Sequence, residues 1–343
     1  MIKKHHRCRW AILCLALLAA AGYGSLLAQP TPREAVSFAM GSELTVTLWI
    51  SDLPMPPFAR RGADARQADI LAAVQSLEAA LGEAAEAPSE IAEIMRDSGG
   101  AYDPYLGALV KRWNIDSKDG SPPRVPADEE IRQALRQRVL DPGSYGKGAA
   151  CDAALYAIAR MRTENHGQPS AAVLNLGGNI LTWGAKPWGK PFQIALRDPK
   201  CGENDTLGIF TLKGLCFIST SGSYEKFFEQ DGKRYHHIFD PATGVPACRD
   251  PGLISVTVIS GNSGISVPAE DQPLGARTVS PHGATGDALS TACFVLGYQQ
   301  SLPLLEKFEA DAVFIYEDGT VKAAGTARDY FQLTHPDYHW EAP

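Results

Sequence analysis

Asp287 and Thr291 stand four residues apart in the segment GATGDALSTACFVLG, residues 283–297. On a helix that spacing puts a carboxylate and a hydroxyl on one face, with Cβ atoms about 6 Å apart. Two hard oxygens so placed suit Mg²⁺, which keeps octahedral geometry and fills its remaining positions with water and phosphate oxygens. The competing reading is structural: an aspartate near a helix start stabilises the helix dipole by about 0.3–1 kcal/mol.

Three further segments combine glycines with a few polar residues. In DPGSYGKGAACD (141–152), three glycines permit close backbone approach just before a helix, and Lys147 adds a full positive charge. A helix start of this kind offers free N–H groups to an anion, although the order of a Walker loop is absent. In LNLGGNILTWG (174–184), Gly177 and Gly178 inside a strand pattern point to a bulge, a backbone pressed by ligand, or tight strand–helix packing. In STSGSYEKFFEQDGKRYHHIFDPATGVPA (219–247), Asp231-Gly232 predicts a hairpin turn. His236 and His237 then point to opposite faces, so that one of them can face a site and the two cannot readily share a metal. Ser221 lies in T-S-G-S, not in the G-x-S-x-G elbow of a serine hydrolase, which demotes that class.

These segments need elements to hold them. Periodicity predicts a linker over 29–39, a strand over 44–50, helices over 63–81, 89–95, 106–113, 127–140 and 149–162, and a loop over 116–126. It then predicts strands over 171–176, 192–196, 208–212, 215–219, 255–260 and 312–316, with one helix over 287–298. Helices first and strands later imply an α+β fold with an antiparallel sheet, not a doubly wound parallel one.

The 343 residues are 45% hydrophobic and 21% charged, enough for a sizeable core. Net charge is −7, and no basic stripe follows the first ten residues, which argues against a nucleic-acid partner. Lys3, Lys4, Arg7 and Arg9 precede an apolar run of roughly a dozen residues and then small residues, the pattern of an export signal over 1–28. Residues 29–343 are read as one domain, placed outside the cytoplasm. Five cysteines follow that signal; none shows CxxC spacing, and Cys201 and Cys216 flank a strand pair that a disulfide could bridge.

Taken together and in this order, the segments resemble the FAD:protein FMN transferase family (ApbE-like proteins). The likeness runs from Met40-Gly41-Ser42 through AYDPYLGALVKRW (101–113), DPGSYGKGAACD, LNLGGN, STSGSY, HHIFDPATGVP and GDALSTACFVLG to ADAVFIYEDGTVKAAG (310–325). The resemblance implies a T-fold-like α+β architecture, antiparallel sheets flanked by helices, in an exported, periplasmic protein that binds FAD and Mg²⁺. It implies transfer of the FMN half of FAD to a threonine or serine hydroxyl of a partner flavoprotein, with release of AMP, and leaves room for a membrane-associated acceptor. Asp287 and Thr291 correspond to the family's metal ligands, helped by backbone carbonyls near Ser144 and Ala284. Ala101, Tyr102, Asp103, Asp141, Lys147, His237 and Ile238 match segments that hold the flavin and adenylate parts, and Met40 matches a position against FAD. His237, together with Asp287, is expected to be catalytic, as the general base toward the acceptor hydroxyl.

Two departures accompany the likeness. The loop LGEAAEAPSEIAEIM lacks the family's aromatic residue and has Met95 where asparagine is expected. Residues 261–282 read as an insertion before the metal helix. Two alternatives stand beside the transferase: a Mg²⁺-dependent FAD pyrophosphatase yielding FMN and AMP, and a non-catalytic periplasmic FAD-binding protein.

Overall fold

Strands β1 (Thr31–Ala39) and β2 (Ser42–Ile50) pair antiparallel from Thr31↔Ile50 to Ala39↔Ser42, across a turn at Met40-Gly41. The computed structural model describes residues 30–50, 63–116, 120–163, 169–202, 205–261 and 283–341. The predicted linker over 29–39 is therefore a strand for most of its length. Its own pattern is weak because it is an edge strand: Val36 and Phe38 face solvent, and Pro32 sits where an edge tolerates a missing N–H. The proposed signal over 1–28 and all but the first residue of the 261–282 insertion lie outside the described residues.

The large sheet has nine strands in the order β1-β2-β3-β4-β7-β10-β11-β12-β14. Its members are β3 (Ala171–Leu176), β4 (Asn179–Gly184), β7 (Cys216–Gly222), β10 (Leu253–Ser260), β11 (Asp311–Tyr316), β12 (Thr320–Ala324) and β14 (His339–Trp340). Neighbours are antiparallel except β12 and β14. A smaller sheet, β13-β6-β5 (Phe331–Leu333, Thr206–Leu212, Phe192–Arg197), packs against one face through Phe192, Phe210 and Phe331. The other face carries helices, with Ile70 and Val74 from one helix and Ile158 from another covering Leu44, Leu48 and Leu174. This is the α+β, antiparallel architecture expected from the order of elements.

Gly177 and Gly178, with φ of 54° and 88°, form the two-residue turn between β3 and β4, so they join two strands and make no bulge within one. The helices are α1 (Ala63–Glu83), α2 (Ser89–Asp97), α3 (Gly107–Trp113), α4 (Asp128–Gln137), α5 (Gly146–Thr163), α6 (Gly283–Leu296), α7 (Tyr298–Lys307) and α8 (Ala327–Tyr330). Helix α4 stops short of the predicted residue 140 because Arg138 turns left-handed (φ 46°) to reach Asp103. Helices α5 and α6 each begin earlier than predicted, at glycines whose low propensity hid the start. Gly297 (φ 78°) separates α6 from α7, which the sequence pattern did not reveal.

The hairpin β8–β9 (Phe227–Gln230, Lys233–His236) turns at Asp231-Gly232 as expected. Trp113 pins it to α3, lying 5.6 Å from Tyr235 and 5.5 Å from Phe239 by ring centroid, while its indole N–H donates to the Gly244 carbonyl. Cys201 is exposed and Cys216 buried at the start of β7; all five described cysteines are free thiols, so the suggested bridge is absent.

Buried His236 accepts from the Ile238 N–H at Nδ1, which leaves Nε2 to donate to the Ala247 carbonyl at 3.1 Å. Burial pushes its pKa down to about 4 from an ordinary 6.5. Between those two values the unfolded chain holds the extra proton, so stability falls as pH drops through that window. The loss is about 3 kcal/mol at pH 4 and below. Urea midpoints measured from pH 7 to 4 should fall accordingly, and His236→Gln should make the profile shallower by about that amount.

Candidate functional site

The first turn of α5 and the start of α6 cross at two glycines. A Cβ on Gly148 would lie 2.0 Å from the Gly283 carbonyl oxygen, and one on Gly283 would lie 2.2 Å from that of Gly148. This contact lets each helix supply a carboxylate to the other. Asp152 of α5 accepts from the Gly283 and Ala284 N–H groups, both at 2.9 Å, while Asp287 of α6 accepts from the Gly148 N–H through Oδ2, also at 2.9 Å. Asp152, not Asp287, therefore caps α6. Asp287 instead accepts at the first turn of α5, so its helix-stabilising role, where it has one, is toward α5 and not toward its own helix.

Asp287 is 6% exposed, and burial raises its pKa, opposed by the positive charge of Lys147 and the Gly148 N–H. Thr291 follows one turn later. Its hydroxyl meets Ser221 Oγ at 3.1 Å, Ser221 meets Ser290 Oγ at 2.7 Å, and Ser290 donates to the Asp287 carbonyl at 2.8 Å. A proton order running from Thr291 through Ser221 and Ser290 to that carbonyl satisfies every hydroxyl and leaves the Thr291 lone pairs open to a cation. Among the described residues no three His, Cys, Asp or Glu side chains converge on a metal position. Asp287 and Thr291 are thus two hard oxygens with room left for water and phosphate, a donor set that fits Mg²⁺.

Both residues line a cleft of about 2010 Å³. Its lining also includes Met40, Ala101, Tyr102, Asp103, Asp141, Ser144, Lys147, His237 and Ile238, so all but one of the sequence-predicted site residues meet there. The exception is Ala284, which is buried, does not line the cleft and donates its N–H to Asp152.

Each lining residue is held by its own element. Met40 occupies a left-handed turn position (φ 53°), donates its N–H to Glu78 and lays its methyl over Gly146. The Tyr102 hydroxyl lies 2.9 Å from Ser144 Oγ, which donates to the Asp141 carbonyl, and Asp141 in turn accepts from the Gly143 N–H. Burial raises the Asp141 pKa. Lys147 reaches the Gly177 carbonyl at 3.4 Å, tying the β3–β4 turn to α5. Asp103 is paired with Arg138 at 2.8 Å, and Met95 packs beside that guanidinium.

His237 places Nδ1 3.3 Å from the Lys226 carbonyl, a contact that fixes the proton on Nδ1 and leaves Nε2 as a free acceptor. Burial, with Lys226 and Lys147 nearby, holds its pKa down to about 4. The two histidines do divide between faces: His236 is structural and His237 lines the cleft.

Sequence reasoning did not single out Asp152, Ser290 or Asn179, and it weighed Ser221 only as a nucleophile. Asp152 did end a quoted motif, but its partners lie 131 and 132 residues away.

A family model described as the ApbE family matches residues 72–314. The chain is 34% identical over 260 residues to the FAD:protein FMN transferase of Treponema pallidum, covering 66% of this chain and 64% of that protein's length. It is 32% identical over 269 residues to that of Klebsiella pneumoniae, covering 73% of each. Among solved structures, an ApbE protein from Thermotoga maritima aligns with TM-score 0.66 at 23% identity, over 88% of this chain and 99% of that one. The apo flavinyl transferase ApbE of Pseudomonas stutzeri aligns with TM-score 0.63 at 24% identity, over 88% and 97%. On the family match and the Klebsiella likeness, with the fold in agreement, this chain belongs to the ApbE family.

Proposed function

We propose that the chain is an FAD:protein FMN transferase that moves the FMN half of FAD onto a threonine or serine hydroxyl of a partner flavoprotein and releases AMP. The observation that carries this reading is the Asp287–Thr291 oxygen pair, set where two helix N-termini cross inside a cleft of about 2010 Å³. A usual small-molecule pocket is about 300–1,000 Å³, so this one has space for a dinucleotide and for an acceptor segment. The flavin enters through the relatives, which are FAD:protein FMN transferases. Mg²⁺ held by Asp287 and Thr291 would neutralise charge building on the pyrophosphate.

The remaining work falls to the chain. Lys147 and the first turn of α5 present positive charge to the phosphates. Tyr102, Ser144 and Met40 wall the cleft beside them. Neutral His237 takes the acceptor proton at Nε2 as the hydroxyl oxygen attacks the FMN phosphorus; the bond to the bridging oxygen breaks, and AMP leaves with that oxygen. In this reading residues 29–343 act as one domain outside the cytoplasm after loss of the 1–28 segment, on an acceptor that is soluble or membrane-associated.

Incubation with FAD, Mg²⁺ and a candidate acceptor, followed by assay of AMP and covalent flavin, separates the outcomes. AMP with protein-bound flavin supports the transferase. AMP with free FMN means water is the acceptor, and neither product means a binder. Because the His237 pKa is lowered, the base stays neutral to lower pH than an ordinary histidine would. The acid limb of kcat/KM should therefore fall near pH 4, not near 6.5, and His237→Gln should remove that limb along with about 10²–10⁴-fold of rate.

A further inference from the structure

Asn179 opens β4, directly after the Gly177-Gly178 turn that Lys147 ties to α5. Its side chain shares a sheet face with Leu181, which packs under α5 and its neighbours. Only 1% of the residue is exposed, and among the described residues neither its Nδ2 nor its Oδ1 has a hydrogen-bond partner. Buried amides are almost always bonded, and an unbonded one costs stability that an isosteric leucine would not. The amide lies beside the Asp287 carboxylate, yet it makes no hydrogen bond of ordinary geometry with it. Thr291 is held by Ser221, and Asp287 Oδ2 is held by Gly148, so the rest of the Asp287 carboxylate is the part of the pair still to be fixed.

We propose that Asn179 is a positioning residue of the cation site: its amide closes onto the Asp287 carboxylate when a divalent cation is bound and fixes the plane in which that carboxylate offers its lone pairs. The proposal rests on the reading of Asp287 as a metal ligand. It accounts for a polar side chain kept in an apolar setting with no partner, since its partner becomes available only when the cation draws the carboxylate into line. Outer groups of this kind tune metal affinity by about 10–100-fold.

The test is a Mn²⁺ titration followed by electron paramagnetic resonance, beside thermal unfolding without metal, on the wild-type chain and on Asn179→Leu, Asn179→Ala and Asp287→Ala. The expected result is a split that a purely structural residue would not give. Asn179→Leu should raise the metal-free unfolding temperature by about 2–4 °C, because an unsatisfied amide is gone, while weakening Mn²⁺ by about 10–100-fold. Asn179→Ala, which needs no repacking, should show the same loss of affinity. Folded Asn179 variants that bind Mn²⁺ like the wild type would overturn the proposal and leave the Asp287 site standing. Wild-type binding that is unaffected by Asp287→Ala, or no wild-type binding at all, would sink both.

Discussion

Asp287→Ala is expected to abolish AMP release from FAD, by at least about 10³-fold, because it strips the one carboxylate of the pair from which a cation would stabilise developing charge. The structure adds a complication, since Asp287 also takes the buried Gly148 N–H. Losing that acceptor costs about 1–3 kcal/mol, partly offset by removing a desolvated charge. Asp287→Asn is the sharper variant: it keeps an oxygen for Gly148 and loses the negative charge. Both should unfold cooperatively near the wild-type temperature. Thr291→Val should show a weaker defect, and the double variant should be far from additive, since either change spoils one ion site. Product assay by chromatography on folded protein decides the matter. Near-normal, metal-dependent FAD cleavage by Asp287→Asn would defeat the site assignment.

Gly148→Ala should be nearly as damaging and through a different route. The added methyl meets the Gly283 carbonyl oxygen at 2.0 Å and the Asp287 Cβ at 2.7 Å; the first is backbone and neither is a flexible end that could swing away. Helices α5 and α6 would have to move apart, breaking the hydrogen bonds that Asp152 and Asp287 make across the crossing. A loss of at least about 3 kcal/mol is expected from the overpacking, together with activity reduced more than about 100-fold. Gly82→Ala is the matched control: it lies in the last turn of α1 with nothing within 4 Å of the new methyl, so it should stabilise by less than about 1 kcal/mol and leave turnover alone. Chemical denaturation and an AMP assay on both variants check this.

The elements that could be read from the sequence were those whose signal is local. The Asp231-Gly232 hairpin, strand β2 and helices α2 and α3 came from alternation, turn chemistry and apolar spacing within a few residues. Strand β1 was missed because its pairing is dictated by β2 and not by its own pattern. The starts of α5 and α6 were missed because glycines there weaken helix propensity, and the compensation is a tertiary contact. The functional residues divide the same way. The i, i+4 spacing set Asp287 and Thr291 on one helix face and left their role open, whereas Asp152, Ser221, Ser290 and Asn179 meet their neighbours across strands and helices far apart in sequence. The resemblance alone brought in Ser144, which lines the cleft; it also brought in Ala284, which is buried and does not line it.

The exchange of carboxylates between α5 and α6 spans 131 to 139 residues of chain. In the proposed cation site α6 would supply Asp287 and Thr291 while α5 holds the Asp287 carboxylate through Gly148, so a fragment that ends before residue 291 would lack the site. Contacts of such separation form late in folding because the loop between them must close first. A ligand held at the crossing therefore recognises only the completed fold, and its whole binding free energy opposes unfolding, growing with the logarithm of its concentration above Kd. Flavin and cation supply should thus govern how long the chain survives proteolysis as well as how fast it turns over, with scarcity felt first as a shortage of intact protein.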